Sequence, residues 1–237
     1  GGGVAGAFTS TNGLAWANQG TGQVDVSGST AGTYTVTNTI AASGTCAEVV
    51  ETSSIVIQAT AVGTFSYAGT PYCSNDADPS PTYGGAGVAG AFTANGAVGA
   101  LVFVDAATGE VDISASTAGT YTVTNTIAAS GACAAVVATS SIVINTLPVA
   151  TFSYTGTPYC SNDNDPSPDY GNTGGVAGAF TASGVANALS INPTTGAVDI
   201  SASTAGTYTV TNTIVAANGC AAVVATSSIV IQATAVA

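Results

Sequence analysis

The sequence predicts an all-β protein built from tandem sandwich-like repeats, and three observations predict it. The phrase STAGTYTVTNTI occurs three times, with Tyr34, Tyr121 and Tyr208 each 87 positions apart. Inside the phrase apolar and hydroxyl residues alternate with the period of two of a half-buried strand. No stretch of the 237 residues sustains the apolar spacing of a helix.

One period shows the elements in order. TFSY, at 151–154, reads as an opening strand with Phe152 and Tyr154 on one face. ALSINPTTGAVDI reads as two short strands around a Pro-Thr-Thr-Gly turn, where Gly196 can supply a positive φ. In GTYTVTNTI, Tyr121, Val123, Asn125 and Ile127 alternate with Thr120, Thr122, Thr124 and Thr126. CAAVVATSSIVI closes the period as a long strand. Length differences between copies fall beside Phe8, Phe92 and Phe180 and in the Gly-rich stretch before them, which marks loops. Short strands and Gly-rich turns within about 87 residues describe an immunoglobulin-like β-sandwich, repeated in a linear array.

The hairpin phrases VFVDAATGEVDI and ALSINPTTGAVDI, followed by GTYTVT, resemble the Ig-like and cadherin-like repeats of bacterial surface proteins. GTPYCSND and TNTIAASGxC are similar to repeats of giant Bacteroidetes cell-surface proteins, such as type 9-secreted gliding-motility adhesins. The resemblance covers nearly the whole chain and implies an extracellular, structural role. Such repeats open on a strand entering a Cys-containing turn and close on a Gly-x-Cys strand. That phasing gives repeats at 62–148 and 149–237, preceded by residues 1–61 as a repeat lacking its first strand. The chain then equals three periods less residues 64–83, and reads as a window on a longer fibre or as a subunit completed by a donated strand.

Five cysteines keep the period. The phasing implied by the resemblance pairs Cys73 with Cys133 and Cys160 with Cys220, and places the partner of Cys46 outside this chain. A bond joining the two sheets of a sandwich agrees with it. The other phasing pairs Cys46 with Cys73 and Cys133 with Cys160, stapling neighbouring repeats and leaving Cys220 over. Periodic cysteines in a Lys-free chain favour disulfides and an oxidising compartment.

Composition excludes whole classes of function. There is no Lys, Arg or His, and twelve carboxylates give a formal charge of −12. Such a chain neutralises no phosphate backbone, so nucleic acid is excluded as a partner. Anionic membrane surfaces repel it, and no run reaches the length of a membrane span. The opening GGGVAGAF is not a signal peptide. Without His or Lys there is no ordinary base or amine nucleophile, and no Arg holds an anion, so we expect no enzyme. Trypsin finds no site in it.

Candidate sites are few. Asp76 and Asp78 in SNDADPSP, with Asp163, Asp165 and Asp169 in SNDNDPSPDY, gather oxygen ligands suited to Ca²⁺, yet Asn, Asp, Pro and Ser also form plain turns. Asp105, Glu110 and Asp112 are weaker candidates, and Asp25, Asp112 and Asp199 read as solvent-face strand residues. Tyr72, Tyr83, Tyr159 and Tyr170 could form an aromatic platform for a glycan. The Thr ladders read as ordinary outward strand faces. The expectation is a disulfide-stabilised stalk or filament segment of an extracellular adhesin. Its partners would be neighbouring repeats or copies of itself. The alternatives are a strand-donating subunit and a module binding a surface glycan or solid substrate, with calcium as the one candidate cofactor.

Overall fold

A computed structural model describes residues 3–11, 13–96, 99–185 and 189–234. Among the described residues every regular element is a β-strand, and no helix is long and apolar enough to cross a membrane. The fold is all-β, as the alternation predicts.

The first copy of the period forms β1 (Ala7–Ser10), β2 (Ala15–Asn18), β3 (Gln23–Asp25), β4 (Gly32–Ile40) and β5 (Val49–Ile57). The second forms β6 (Phe65–Ser66), β7 (Tyr72–Cys73), β8 (Thr82–Tyr83), β9 (Ala91–Gly96), β10 (Val102–Asp105), β11 (Glu110–Asp112), β12 (Gly119–Ile127) and β13 (Val136–Asn145). The third forms β14 (Tyr159–Cys160), β15 (Ala179–Ser183), β16 (Ser190–Ile191), β17 (Val198–Asp199), β18 (Gly206–Ile214) and β19 (Val223–Gln232). The chain divides into two compact units. One is Gly1–Thr64 with Tyr83–Gly90 and Thr126–Ala138; the other is Phe65–Thr82 with Ala91–Asn125 and Thr139–Ala237. The middle copy contributes segments to both.

Each copy centres on a long antiparallel hairpin, β4–β5 or β18–β19, in which every residue of the GTYTVTNTI strand has a partner. A third strand joins its other side, β1 beside β4 and β15 beside β18. The second and third copies add a fourth, giving the orders β7-β13-β12-β9 and β14-β19-β18-β15. This fourth strand runs parallel to the end of the long strand, with Tyr159 opposite Ile231 and Cys160 opposite Gln232. The TG hairpins β2–β3, β10–β11 and β16–β17 form separate two-stranded sheets.

Burial follows the alternation. In the third copy Tyr208, Val210, Ile229 and Ile231 of the long hairpin meet Val198 and Ile200 and the opening aromatics Phe152 and Tyr154. Phe152 stands edge-on to Phe180 at 5.4 Å, as Phe65 does to Phe92 at 5.2 Å, the favoured aromatic geometry. Tyr154 and Tyr67 send their hydroxyls to the carbonyls of Gly196 and Gly109, tying the opening segment to the TG hairpin. Among the described residues the first copy shows no such segment. Its core is smaller, with Leu14, Tyr34 and Ile57 buried and Phe8 only half-buried.

Candidate functional site

Cysteine chemistry in the second unit is set by local backbone first. The Thr70–Pro71 peptide is cis and leads into β7. Thr70 Oγ1 accepts the Val143 N–H at 2.9 Å, and Asn145 O accepts the Ser74 N–H at 2.8 Å, so β7 is locked beside the end of β13. Asp76 Oδ2 accepts the Cys73 N–H at 2.8 Å and closes the turn behind it. Against this docks the tight turn that links β18 to β19. Ala217 and Cys220 exchange both backbone hydrogen bonds, and Asn218 and Gly219 between them have φ of 53° and 81°. Asn-Gly is the pair that adopts two successive positive φ values at least cost. Asn145 Nδ2 donates to Asn218 O at 2.7 Å. Cys73 and Cys220 form a disulfide with Cα atoms 4.7 Å apart, spanning 147 residues. Cys73 is fully buried beneath it.

This pairing corrects the expected one. Cys73 is bonded to neither Cys133 nor any residue of its own copy, Cys220 is not bonded to Cys160, and Cys46, Cys133 and Cys160 are free thiols. The reason is the length of the last strand. Cys160 lies opposite Gln232, at one end of β19, whereas Cys220 precedes Val223 at the other end. Ten residues at about 3.3 Å each separate those ends by roughly 30 Å, and a disulfide needs Cα atoms within about 7 Å. β13 separates Cys73 from Cys133 in the same way. The bond therefore ties the second copy to the third. The other phasing, Cys46–Cys73 and Cys133–Cys160, is not formed either.

A related contact occurs in the first unit without a disulfide. Ala132 N–H donates to Gln58 Oε1 at 3.3 Å, and Cys133 Sγ lies 3.9 Å from Ala59 O. Gln58, Asn145 and Gln232 are equivalent positions of the period, as are the turns ending at Cys46, Cys133 and Cys220.

The acidic turns hold backbone. Asp78 Oδ1 accepts the Ile113 N–H at 2.8 Å and Asp165 Oδ1 the Ile200 N–H at 2.9 Å. Next to them the carbonyls of Pro79 and Pro166 accept from Val111 and Val198, so each Asp-Pro segment lies along a TG-hairpin strand. Asp163 accepts the Cys160 N–H and Asp169 that of Gly171. Among the described residues no three Asp, Glu or Cys side chains gather as a metal site would require. Asp25, Asp112 and Asp199 are more than solvent-face residues. Each ends a strand and caps the following turn. The Ala115 and Ala202 amides, and then the Ser114 and Ser201 hydroxyls, hold Asp112 and Asp199 below the usual carboxylate range. For Asp25 the Ser27 hydroxyl leads, followed by the Gly28 amide.

None of the four tyrosines is exposed as a glycan platform would require. Tyr159 is buried, Tyr72, Tyr83 and Tyr170 are half-buried, and Tyr170 packs on the third-copy core. The inward Asn of TVTN has a role that its residue type alone did not assign. Asn212 is fully buried, donates to Ala150 O and Val176 O at 2.9 Å each, and accepts the Gly178 N–H at 2.7 Å. A polar residue on the inward face was the available signal.

No family model and no curated protein matches the chain. Among solved structures it is similar to Drosophila N-cadherin EC1-4, with 11% identity over 95% of this chain and 66% of that one and a TM-score of 0.36. It is also similar to human CDH23 EC21-23, at 16% identity, 92% and 81% coverage and a TM-score of 0.43. A third is BT4661, a SusE-like surface located polysaccharide binding protein from Bacteroides thetaiotaomicron, at 12% identity, 96% and 55% coverage and a TM-score of 0.27. The chain thus spans just under two thirds of the N-cadherin fragment and little more than half of the SusE-like protein. Likenesses this distant assign no partner or activity to it.

Proposed function

We propose that the chain is a structural stalk or filament segment of an extracellular or cell-surface adhesin, made of β-sandwich repeats stapled one to the next, and that it carries out no catalysis. The observation that carries this reading is the Cys73–Cys220 bond, which links two copies of the period rather than the sheets of one. A bond within each sandwich would stabilise single domains; a bond between copies lets tension pass along the array through a covalent link. Disulfides persist outside the reducing cytosol, which supports the extracellular placement. A chain without Lys or Arg also resists trypsin-like proteases. In this reading the Asp turns hold backbone rather than calcium. The sequence resemblance adds the finer expectation of a type 9-secreted adhesin that serves gliding motility.

Single-molecule pulling tests the reading. With the bond intact, the chain between Cys73 and Cys220, a separation of 147 positions, is withheld from extension. Reductant should release roughly 500 Å of added contour, at about 3.5 Å per residue. Full extension under oxidising conditions, at forces typical of unstructured chain, would sink the proposal.

A further inference from the structure

The turn that carries Cys220 differs from its equivalents elsewhere in the period. The Ser43–Cys46 and Ser130–Cys133 turns place Gly44 and Gly131 first, at φ 61° and 57°, followed by Thr45 and Ala132. The Ala217–Cys220 turn places Asn218 there, at φ 53°, and a glycine second, Gly219 at 81°. Among the described residues Asn218 is the one non-glycine with a positive φ. Asn-Gly is also a chemically labile pair. The Gly nitrogen, with no side chain in its way, attacks the Asn Cγ and closes a succinimide ring. Asn218 is exposed, so water reaches it.

The closed turn holds that reaction off. Ring closure needs the Gly219 nitrogen on the same side of the Cα–C bond as the Asn218 Cβ. In the left-handed region ψ is about +30 to +60°, which turns the nitrogen to the opposite side, out of reach of Cγ. Three restraints keep the turn in that state. Asn145 Nδ2 donates to Asn218 O at 2.7 Å, Ala217 and Cys220 exchange backbone hydrogen bonds at 3.0 and 2.9 Å, and the disulfide holds Cys220 on Cys73. Pairing of β18 with β19 ends at Ile214–Val223, and among the described residues only the Ala217–Cys220 bridge lies beyond it. Opening the disulfide therefore frees the tip of the hairpin and leaves the sheet below it intact.

We propose that Asn218 is a modification site gated by the staple: it persists while the Cys73–Cys220 bond is closed, and once the bond opens it converts to isoaspartate and the turn no longer re-docks. A small-molecule thiol opens the bond by exchange, two thiols being oxidised to their own disulfide as Cys73 and Cys220 are reduced. Gly219 N then bonds to Asn218 Cγ, the Cγ–Nδ2 bond breaks, and the nitrogen leaves as ammonia with the proton given up by the Gly219 amide. Water opens the ring at either carbonyl, giving aspartate or isoaspartate at 218. Isoaspartate routes the main chain through the former side chain and lengthens the turn by one carbon, which the tight two-residue geometry does not accommodate. Gly219 already approaches the Pro71 carbonyl so closely that an added Cβ would lie 2.0 Å from its oxygen. A pair of repeats that has been opened is thereby marked and kept open. The inference rests on the stapled-repeat reading. A failed pulling experiment would remove that reading, whereas failure here alone leaves the staple standing and removes only its gating of Asn218.

The test incubates the whole chain in mildly alkaline buffer with and without dithiothreitol, then follows the amide-to-acid mass change in the chymotryptic peptide that contains Asn218. Conversion should be about tenfold or more slower in the stapled chain, because the rate follows the open fraction of the turn. Asn95–Gly96 is the internal reference. It ends β9, at the opposite edge of its sheet from β7, and its rate should not change with the bond. After the reductant is removed, chains with isoaspartate at 218 should stay unstapled. Asn218→Gly, carried through the same treatment, should re-form the Cys73–Cys220 bond in full, since glycine holds this place in the equivalent turns. Equal conversion of Asn218 in the two states, acceleration of Asn95 to the same degree, stapling of isoaspartate chains at the rate of fresh protein, or failure of Asn218→Gly to restaple would each overturn it.

Discussion

Asn212 occupies an inward position on β18 between Val210 and Ile214, where an apolar residue would be expected, and it answers three backbone groups at once. Gly178 must come so near that an added Cβ would lie 2.2 Å from Thr213 O, and the Asn side chain replaces the hydrogen bonds such crowding denies to water. Asn212→Ala leaves these groups unpaired in a dry site. We expect a loss of about 2–4 kcal/mol in denaturant unfolding. Asn38→Ala should cost less, because Asn38 is only half-buried. The capping carboxylates predict a pH dependence. Asp25, Asp112 and Asp199 have folded pKa values held below the ordinary aspartate value of 3.8. Their stabilisation is therefore complete above that value and is lost as pH falls through the lower folded values. The melting temperature should fall with acid below about pH 4. The triple Asp→Asn variant should fall less steeply over the same range.

Among the elements, the β18–β19 turn depends on one glycine. A Cβ at Gly219 would lie 2.0 Å from the Pro71 carbonyl oxygen, and its φ of 81° already disfavours a side chain. Gly219→Ala should therefore hold the turn away from β7 and prevent the disulfide. Thiol titration of the unfolded chain checks it, with the count rising from three towards the five cysteines present. The long strands were legible in advance, whereas the expected opening strand at 151–154 is reduced to a single bridge at Ser153. The alternation of GTYTVTNTI placed Tyr121, Val123 and Asn125 inward, and all three are buried. The acidic turns were legible as turns, but their targets on Ile113 and Ile200 lie 35 residues away. Local pattern carries no information at that range.

At the scale of the molecule, a loop of 147 residues is closed by one covalent bond. Restricting so long a loop in the unfolded chain is worth about 5 kcal/mol on the chain-entropy model. Reductant, or a Cys73→Ser/Cys220→Ser pair, should lower the melting temperature clearly. Removing the three free thiols at Cys46, Cys133 and Cys160 should leave it nearly unchanged. Equal melting curves with and without reductant would refute a stabilising role for the staple.

By itself the sequence determined the period, the long strands, their inward faces and the absence of cationic chemistry, because each is written in residue types and their order along the chain. The partner of Cys73 was decided by tertiary structure. It depended on β7 adding in parallel at the far end of β13, which set Cys73 a full strand length from Cys133 and brought it against the turn of the next copy. Equal spacing along the chain made several pairings plausible, and the distance between strand ends excluded those within a copy.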